Sequence, residues 1–180
     1  MVALGLLAPA LGLPWAAHAD SAEPLHDLVD TAAQRLQTAD PVAASKWLTG
    51  APITDTARAA QVLARVTHDA ESLGVPTDFA TAVFTDQINA TEGVQYARFS
   101  WWKFDPAAAP ATAPDLADSR ALIDGLTARM LAEIAEQWPL LRSPGCAAAL
   151  DGARGEVAAA RGLDPLYRQA LDAATRSYCG

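Results

Sequence analysis

Basic residues are scarce in this chain. Thirteen Lys+Arg stand against 21 Asp+Glu in 180 residues, for a net charge of −8. That balance excludes nucleic acid and anionic membrane surfaces as partners, because both select for basic faces. There are 11 Gly and 12 Pro, with no Gly-X-Y period, so collagen-like and low-complexity readings fall. The sequence contains no Gly-rich phosphate loop, no GxSxG, no HExxH and no Cys/His cluster. His18, His26 and His68 stand apart from one another. No internal repeat is visible, and period-2 alternation is scarce, which argues against a sheet. What is present is a large apolar fraction, 51% hydrophobic against 19% charged. A chain of this length and composition folds and buries one core.

Residues 1–19 carry no Lys, Arg, Asp or Glu. An apolar stretch from Gly5 to Ala17 is broken by Pro9 and Pro14, so it is too short to span a bilayer as a helix. Ala17-His18-Ala19 then fits the small-x-small cleavage rule, with Asp20 opening the mature chain. We read 1–19 as a cleaved export signal and 20–180 as one domain. The basic n-region is absent, so the signal is expected to be truncated at its start. The competing reading is an apolar helix of the fold. Cys146 and Cys179 agree with export: an even count in an oxidising compartment favours one disulfide over two buried thiols. Closing a loop of about 34 residues would contribute roughly 4 kcal/mol on the chain-entropy model.

The remainder reads as an all-α, single-domain bundle of three long helices with several shorter ones. A first helix is expected from about Ser21 to Trp47, kinked or restarted at Asp40-Pro41 as N-cap and N1. A second runs from Asp55 to Gly74, and a third from Thr77 to about Trp102. Asp105 to Pro114 is a stiff Pro/Ala linker. Helices over Asp115–Arg142, Cys146–Arg161 and Asp164–Cys179 follow. Asn89-Ala90-Thr91 matches a glycosylation sequon, but it lies mid-helix and is discounted. Trp47, Trp101, Trp102 and Trp138 are read as core.

Polar residues interrupt the apolar stripes. Steps of three and four give Leu28, Ala32, Arg35, Ala39, Val42 and Lys46 on the first helix. The third helix gives Phe84, Ile88, Thr91, Gln95, Phe99 and Trp102. The fourth gives Leu116, Arg120, Ile123, Thr127, Met130 and Ile134. Arg58 lies a turn before Val62, with Asp55 three residues back as its cap and partner. Asp86 and Glu92 fall off the third helix's stripe. Four cations facing a helical core need anions, because an unpaired buried charge costs several kcal/mol. The residues alone therefore point to a pocket for a small polyanion. The plainer alternative is that the cations snorkel at stripe edges.

Several segments carry a resemblance. They are AAQRL at Arg35, ADPVAASKW at Lys46, PITDTAR at Asp55 and Arg58, and VFTDQINATEGVQYARFSWWK at Thr91 and Gln95. PDLADSR at Arg120, MLAEI, GCAAAL and SYCG follow in order. Together they resemble the exported, all-helical subclass of AroQ-class chorismate mutases. The resemblance implies a secreted or envelope enzyme that rearranges chorismate to prephenate with no cofactor and no metal. It implies that Arg35, Arg58 and Arg120 hold carboxylates, and that Lys46 and Gln95 donate to the ether oxygen. Thr91 would bind a carboxylate, and Asp55 would orient Arg58 or meet the substrate hydroxyl. It further implies a homodimer whose sites are each built within one protomer. Exported relatives often carry Glu where Gln95 stands. A non-catalytic exported helical binding protein of the same fold is the alternative, and a plain structural bundle with solvated cations is a third.

Overall fold

The computed structural model describes residues 23–179, so the export-signal reading of 1–19 lies outside them. The described residues form seven α-helices and one 3₁₀ turn, with no strand among them. Helix α1 spans His26–Gln37 and α2 spans Ala39–Thr49. The break is at Thr38, not at Asp40 as the sequence suggests. Pro41 has no N–H to offer the Gln37 carbonyl, so the ladder opens one turn earlier than its own position. Thr38 keeps right-handed helical dihedrals, φ −70° and ψ −10°. The two helices therefore stay in phase. Asp40 is then free to accept from Arg98 on the long fourth helix, at 2.7 and 3.2 Å.

Helix α3 spans Thr56–Leu73, capped by Asp55 and closed by Gly74 at φ +70°. An L side chain rarely adopts that left-handed conformation, which is why glycine ends the helix. Helix α4 spans Thr77–Phe104 and is about 42 Å long at 1.5 Å per residue. The linker after it is partly wound, with a 3₁₀ turn at Pro106–Ala108. Helix α5 spans Leu116–Leu141, its first turn capped by Asp115. Helices α6 (Cys146–Ala160) and α7 (Pro165–Ala174) complete the bundle. The last helix is shorter than the sequence suggests. Thr175 caps it, and a turn carries the chain on to Cys179.

Helix α4 is the spine. It packs against α2, α3 and α7, while α1 packs against α5, α6 and α7. Leu28, Val66, Phe84, Met130, Leu131 and Ile134 are fully buried where these helices meet. A disulfide joins Cys146 to Cys179, with Cα atoms 5.7 Å apart, and ties the start of α6 to the tail after α7. The tryptophans depart from the core reading. Trp101 is 58% exposed, and Trp47, Trp102 and Trp138 are only partly buried. Trp47 packs edge-on against Phe99 and Trp102, and Trp138 against Phe79. These rings close the ends of the bundle rather than its middle. No described helix is long and apolar enough to cross a membrane.

Candidate active site

The stripes converge on one cleft between α1, α2, α3, α4 and α5. Arg35, Lys46, Asp55, Arg58, Thr91, Gln95 and Arg120 all line it. Val42, Val62, Ile88 and Ile123 supply apolar walls between them. The in-phase join at Thr38 is what lets Arg35 and Lys46 share this cleft from two separate helices. The α1–α2 stripe is buried throughout, from Leu28 to Lys46.

The four cations are not equivalent. Arg35 and Lys46 are 4% and 7% exposed. The Arg58 and Arg120 side chains are 23% and 41% exposed, so they form the rim rather than the inward face expected of them. Helix α3 lines the cleft with Arg58 and Ala59 in its first turn and Val62 in its second, and Arg120 sits one turn into α5.

The deep pair is held by neutral acceptors. Arg35 Nε donates to Thr127 Oγ1 at 3.2 Å, and its Nη1 donates to Gln87 Oε1 at 3.4 Å. Lys46 Nζ donates to the Ile53 carbonyl oxygen at 2.5 Å. Burial pushes the Arg35 guanidinium down to about 10, still cationic at neutral pH. Burial also lowers Lys46, with Glu92 and Asp55 opposing. The rim pair is held by carboxylates. Arg58 Nη2 donates to Asp124 Oδ1 at 2.5 Å, and Arg120 Nη2 donates to Asp55 Oδ2 at 3.2 Å.

Asp55 caps α3 as the sequence suggests, but its ion-pair partner is Arg120 rather than Arg58. Its Oδ1 accepts from the Arg58 backbone N–H at 3.0 Å, which caps α3, and its Oδ2 pairs with Arg120. The Arg58 guanidinium belongs to Asp124, which sequence reasoning missed. Asp124 lies one turn beyond Arg120 on α5, so the i+4 spacing was a usable signal. Glu92 is a second correction. It lines the cleft, and its carboxylate accepts from Thr54 Oγ1 at 3.0 Å. One residue past Thr91 turns by about 100°, which brings Glu92 to the exposed Thr54 at the edge of the cleft. Asp86 does point elsewhere, to the Ser177 hydroxyl.

On the α4 wall, the Thr91 hydroxyl donates to the Gln87 carbonyl oxygen at 2.7 Å. Gln95 is 3% exposed, and its Oε1 is buried without a hydrogen-bond partner. The cleft thus offers two buried cations, two rim cations, an amide and a hydroxyl on apolar walls. That suits a small molecule bearing two carboxylates.

The secreted chorismate mutase of Mycolicibacterium smegmatis is 55% identical over 178 residues, which are 99% of this chain and 97% of that protein. The chain belongs to the chorismate mutase family. The secreted chorismate mutase of Mycobacterium tuberculosis is 51% identical over 178 residues, with 88% of its length covered. A family model described as chorismate mutase type II matches residues 26–96, which run from α1 into α4 and stop short of Arg120. Among solved structures, a chorismate mutase from Burkholderia phymatum superposes with a TM-score of 0.83 at 38% identity, covering 88% of this chain and 97% of that one. The secreted chorismate mutase of Yersinia pestis shares the fold at a TM-score of 0.70 and 24% identity, covering 84% of this chain and 94% of that one. The all-helical architecture is the family's AroQ fold.

Proposed function

We propose that this chain is an exported chorismate mutase, converting chorismate to prephenate. The reaction is an intramolecular Claisen rearrangement. One C–O bond breaks as one C–C bond forms, and no proton is transferred. The protein's task is to hold a compact conformer and to stabilise negative charge growing on the ether oxygen. The observation that carries the reading is the deep cation pair: Arg35 and Lys46 are buried in one cleft, each bonded only to uncharged acceptors.

In this reading Arg35 and the rim arginines, Arg58 and Arg120, take the two carboxylates. Lys46 has three N–H groups, so it can keep the Ile53 carbonyl and still reach the ether oxygen and a carboxylate. Gln95 donates to the ether oxygen from the other side. Thr91 binds a carboxylate. Asp55 acts through Arg120 and through the α3 cap. The site needs no cofactor. We read residues 20–180 as the mature domain and the protein as a homodimer with one self-contained site per protomer. Nothing in the cleft favours the non-catalytic alternative.

The test is loss of chorismate absorbance with the purified mature protein, with Arg35→Ala as control. Turnover at enzyme-like rates, lost in the control, supports the reading. A folded protein that leaves chorismate untouched would return the non-catalytic binder to first place. Light scattering during size exclusion tests the dimer.

A further inference from the structure

Arg35 is held from behind by a residue that no motif marks. Gln87 is fully buried on α4, one turn before Thr91 and two before Gln95. Its side-chain oxygen accepts from Arg35 Nη1, and its backbone carbonyl accepts from the Thr91 hydroxyl. One residue thus touches two groups of the cleft without lining it.

The far side of Gln87 is unusual. Its Nε2 is buried without a partner, and so are the Tyr178 hydroxyl and Glu133 Oε2. Gln87, Glu133 and Arg35 all act on the Tyr178 phenol, which burial pushes above its ordinary range. The three unpaired atoms therefore belong to one polar seam through the core. The seam ends at Glu133 Oε1, which accepts from Thr31 and Arg129. Tyr178 is fully buried next to Cys179, so the disulfide pins the seam's middle member. Leaving the buried Gln87 Nε2 unpaired costs about 1–3 kcal/mol, so the fold keeps this amide at a cost in stability.

We propose that Gln87 is a positioning residue for the rearrangement: its neutral amide oxygen fixes the Arg35 guanidinium at the cleft without neutralising it. This rests on the chorismate mutase reading. A carboxylate in the same place would orient Arg35 equally well but cancel the charge meant for the substrate. Met in the same place would leave the charge but not its aim. The amide does both jobs because it is a strong acceptor with no net charge.

The charged and titratable groups around it can be named. Arg35 faces it from α1, and Glu133 from α5 across Tyr178. Arg58 on α3 and Asp124 on α5 act on Arg35, and Arg154 on α6 acts on Tyr178. Burial raises the Glu133 carboxyl above its ordinary range, with Arg129 and Thr31 opposing.

The experiment compares Gln87→Met and Gln87→Glu with the wild-type enzyme. Gln87→Met should raise KM for chorismate about tenfold with kcat changed less than about threefold, because a hydrogen bond to a charged group is lost. Gln87→Glu puts a carboxyl against the Arg35 guanidinium, which favours its ionised form, so this variant should raise KM at least about tenfold throughout pH 5–8. A side chain that merely fills the core would lower the melting temperature of both variants and move neither KM, and that result overturns the proposal. If Gln87→Met does not fold, the KM of Gln87→Glu decides alone. A readout independent of activity is the hydrogen exchange of the Arg35 Nη1 hydrogens, which donate to Gln87, by ¹⁵N NMR, assigned with Arg35→Lys. It should quicken at least about tenfold in Gln87→Met, and unchanged exchange would also overturn the proposal. A wild-type protein inert toward chorismate would sink the underlying reading, and the exchange measurement would still judge Gln87.

Discussion

Replacing Gln95 by Glu should convert a nearly pH-independent enzyme into an acid-favoured one. Gln95 is 3% exposed with its Oε1 unpartnered, so the side chain sits in a place that solvates charge poorly. An amide donates at any pH, whereas a carboxyl donates only when protonated. In Gln95→Glu the protonated form is the active one, so activity is present below the carboxyl's pKa and lost as pH rises through it. Burial moves that pKa up from the ordinary value of about 4.3. For a carboxyl raised to about 6, the protonated fraction falls about 30-fold between pH 5 and 7.5, and for an unshifted one about 300-fold. The ionised form also meets a dicarboxylate substrate, which adds repulsion in the same direction. The assay is kcat/KM for chorismate across that range at constant ionic strength, with circular dichroism to show that both proteins stay folded. Wild type should vary less than about threefold. A Gln95→Glu profile as flat as wild type, or a wild-type loss of tenfold by pH 7.5, would refute the assignment of Gln95 as the neutral donor.

Three further outcomes are expected. Lys46→Ala should lower kcat/KM at least about a hundredfold, roughly 2.7 kcal/mol, as removal of one preorganised donor does; near-normal turnover would take Lys46 out of the mechanism. Asp55→Asn should keep the α3 cap and its melting temperature while raising KM through the freed Arg120, whereas Asp55→Ala should also lose about 1 kcal/mol of stability; equal melting temperatures for the two variants would remove the cap from the account. Opening the disulfide with Cys146→Ser and Cys179→Ser together should cost about 3–4 kcal/mol on the chain-entropy model, or about 6–16 °C in Tm at this chain length; a shift under 2 °C in differential scanning calorimetry would contradict it.

The parts of the fold that sequence reading reached are those set by local chemistry. Asp55, Asp115 and Asp164 cap helices with their carboxylates. Gly74 closes α3 from the left-handed region. These effects act within one turn, so spacing alone reveals them. The stripes were legible for the same reason, and they brought seven candidate residues to one cleft. What escaped depends on partners far along the chain. Asp40 looks like a cap by itself, yet Arg98, 58 residues away, is what holds it. Glu92 falls off the α4 stripe, yet beside Thr54 it lines the edge of the cleft. Arg58 seems to belong to Asp55 until Asp124 on α5 arrives, 66 residues on. Gln87 escaped because it lies on the core side of the α4 stripe, where an amide is easily taken for packing.

The ion pairs themselves divide the labour of binding. A cation bonded to a carboxylate is already neutralised, and an incoming anion must displace that partner before it gains anything. Arg58 and Arg120 are in this state, with side chains 23% and 41% exposed at the rim. Water screens them, so each exchange is close to balanced. Arg35 and Lys46 are in the other state. Thr127, Gln87 and the Ile53 carbonyl aim them but leave their charge intact. The desolvation of that pair has been met by the fold before any substrate arrives, and the lowered pKa values of both groups register it. A dianion entering the cleft therefore meets its strongest uncompensated field at the bottom, where water is scarce and the effective dielectric is low. The rim arginines then close over whatever charge remains. Removing Asp124 should ease that closure, and removing Gln87 should spoil the aim beneath it. Asp124 acts on Arg35 through space and Gln87 bonds it, so the two changes share a partner, and their effects on binding should couple by more than about 0.5 kcal/mol in a double-mutant cycle. Additivity within about 0.5 kcal/mol would mean instead that the rim carboxylate does not reach the floor, and that neutral acceptors and carboxylates act as separate devices.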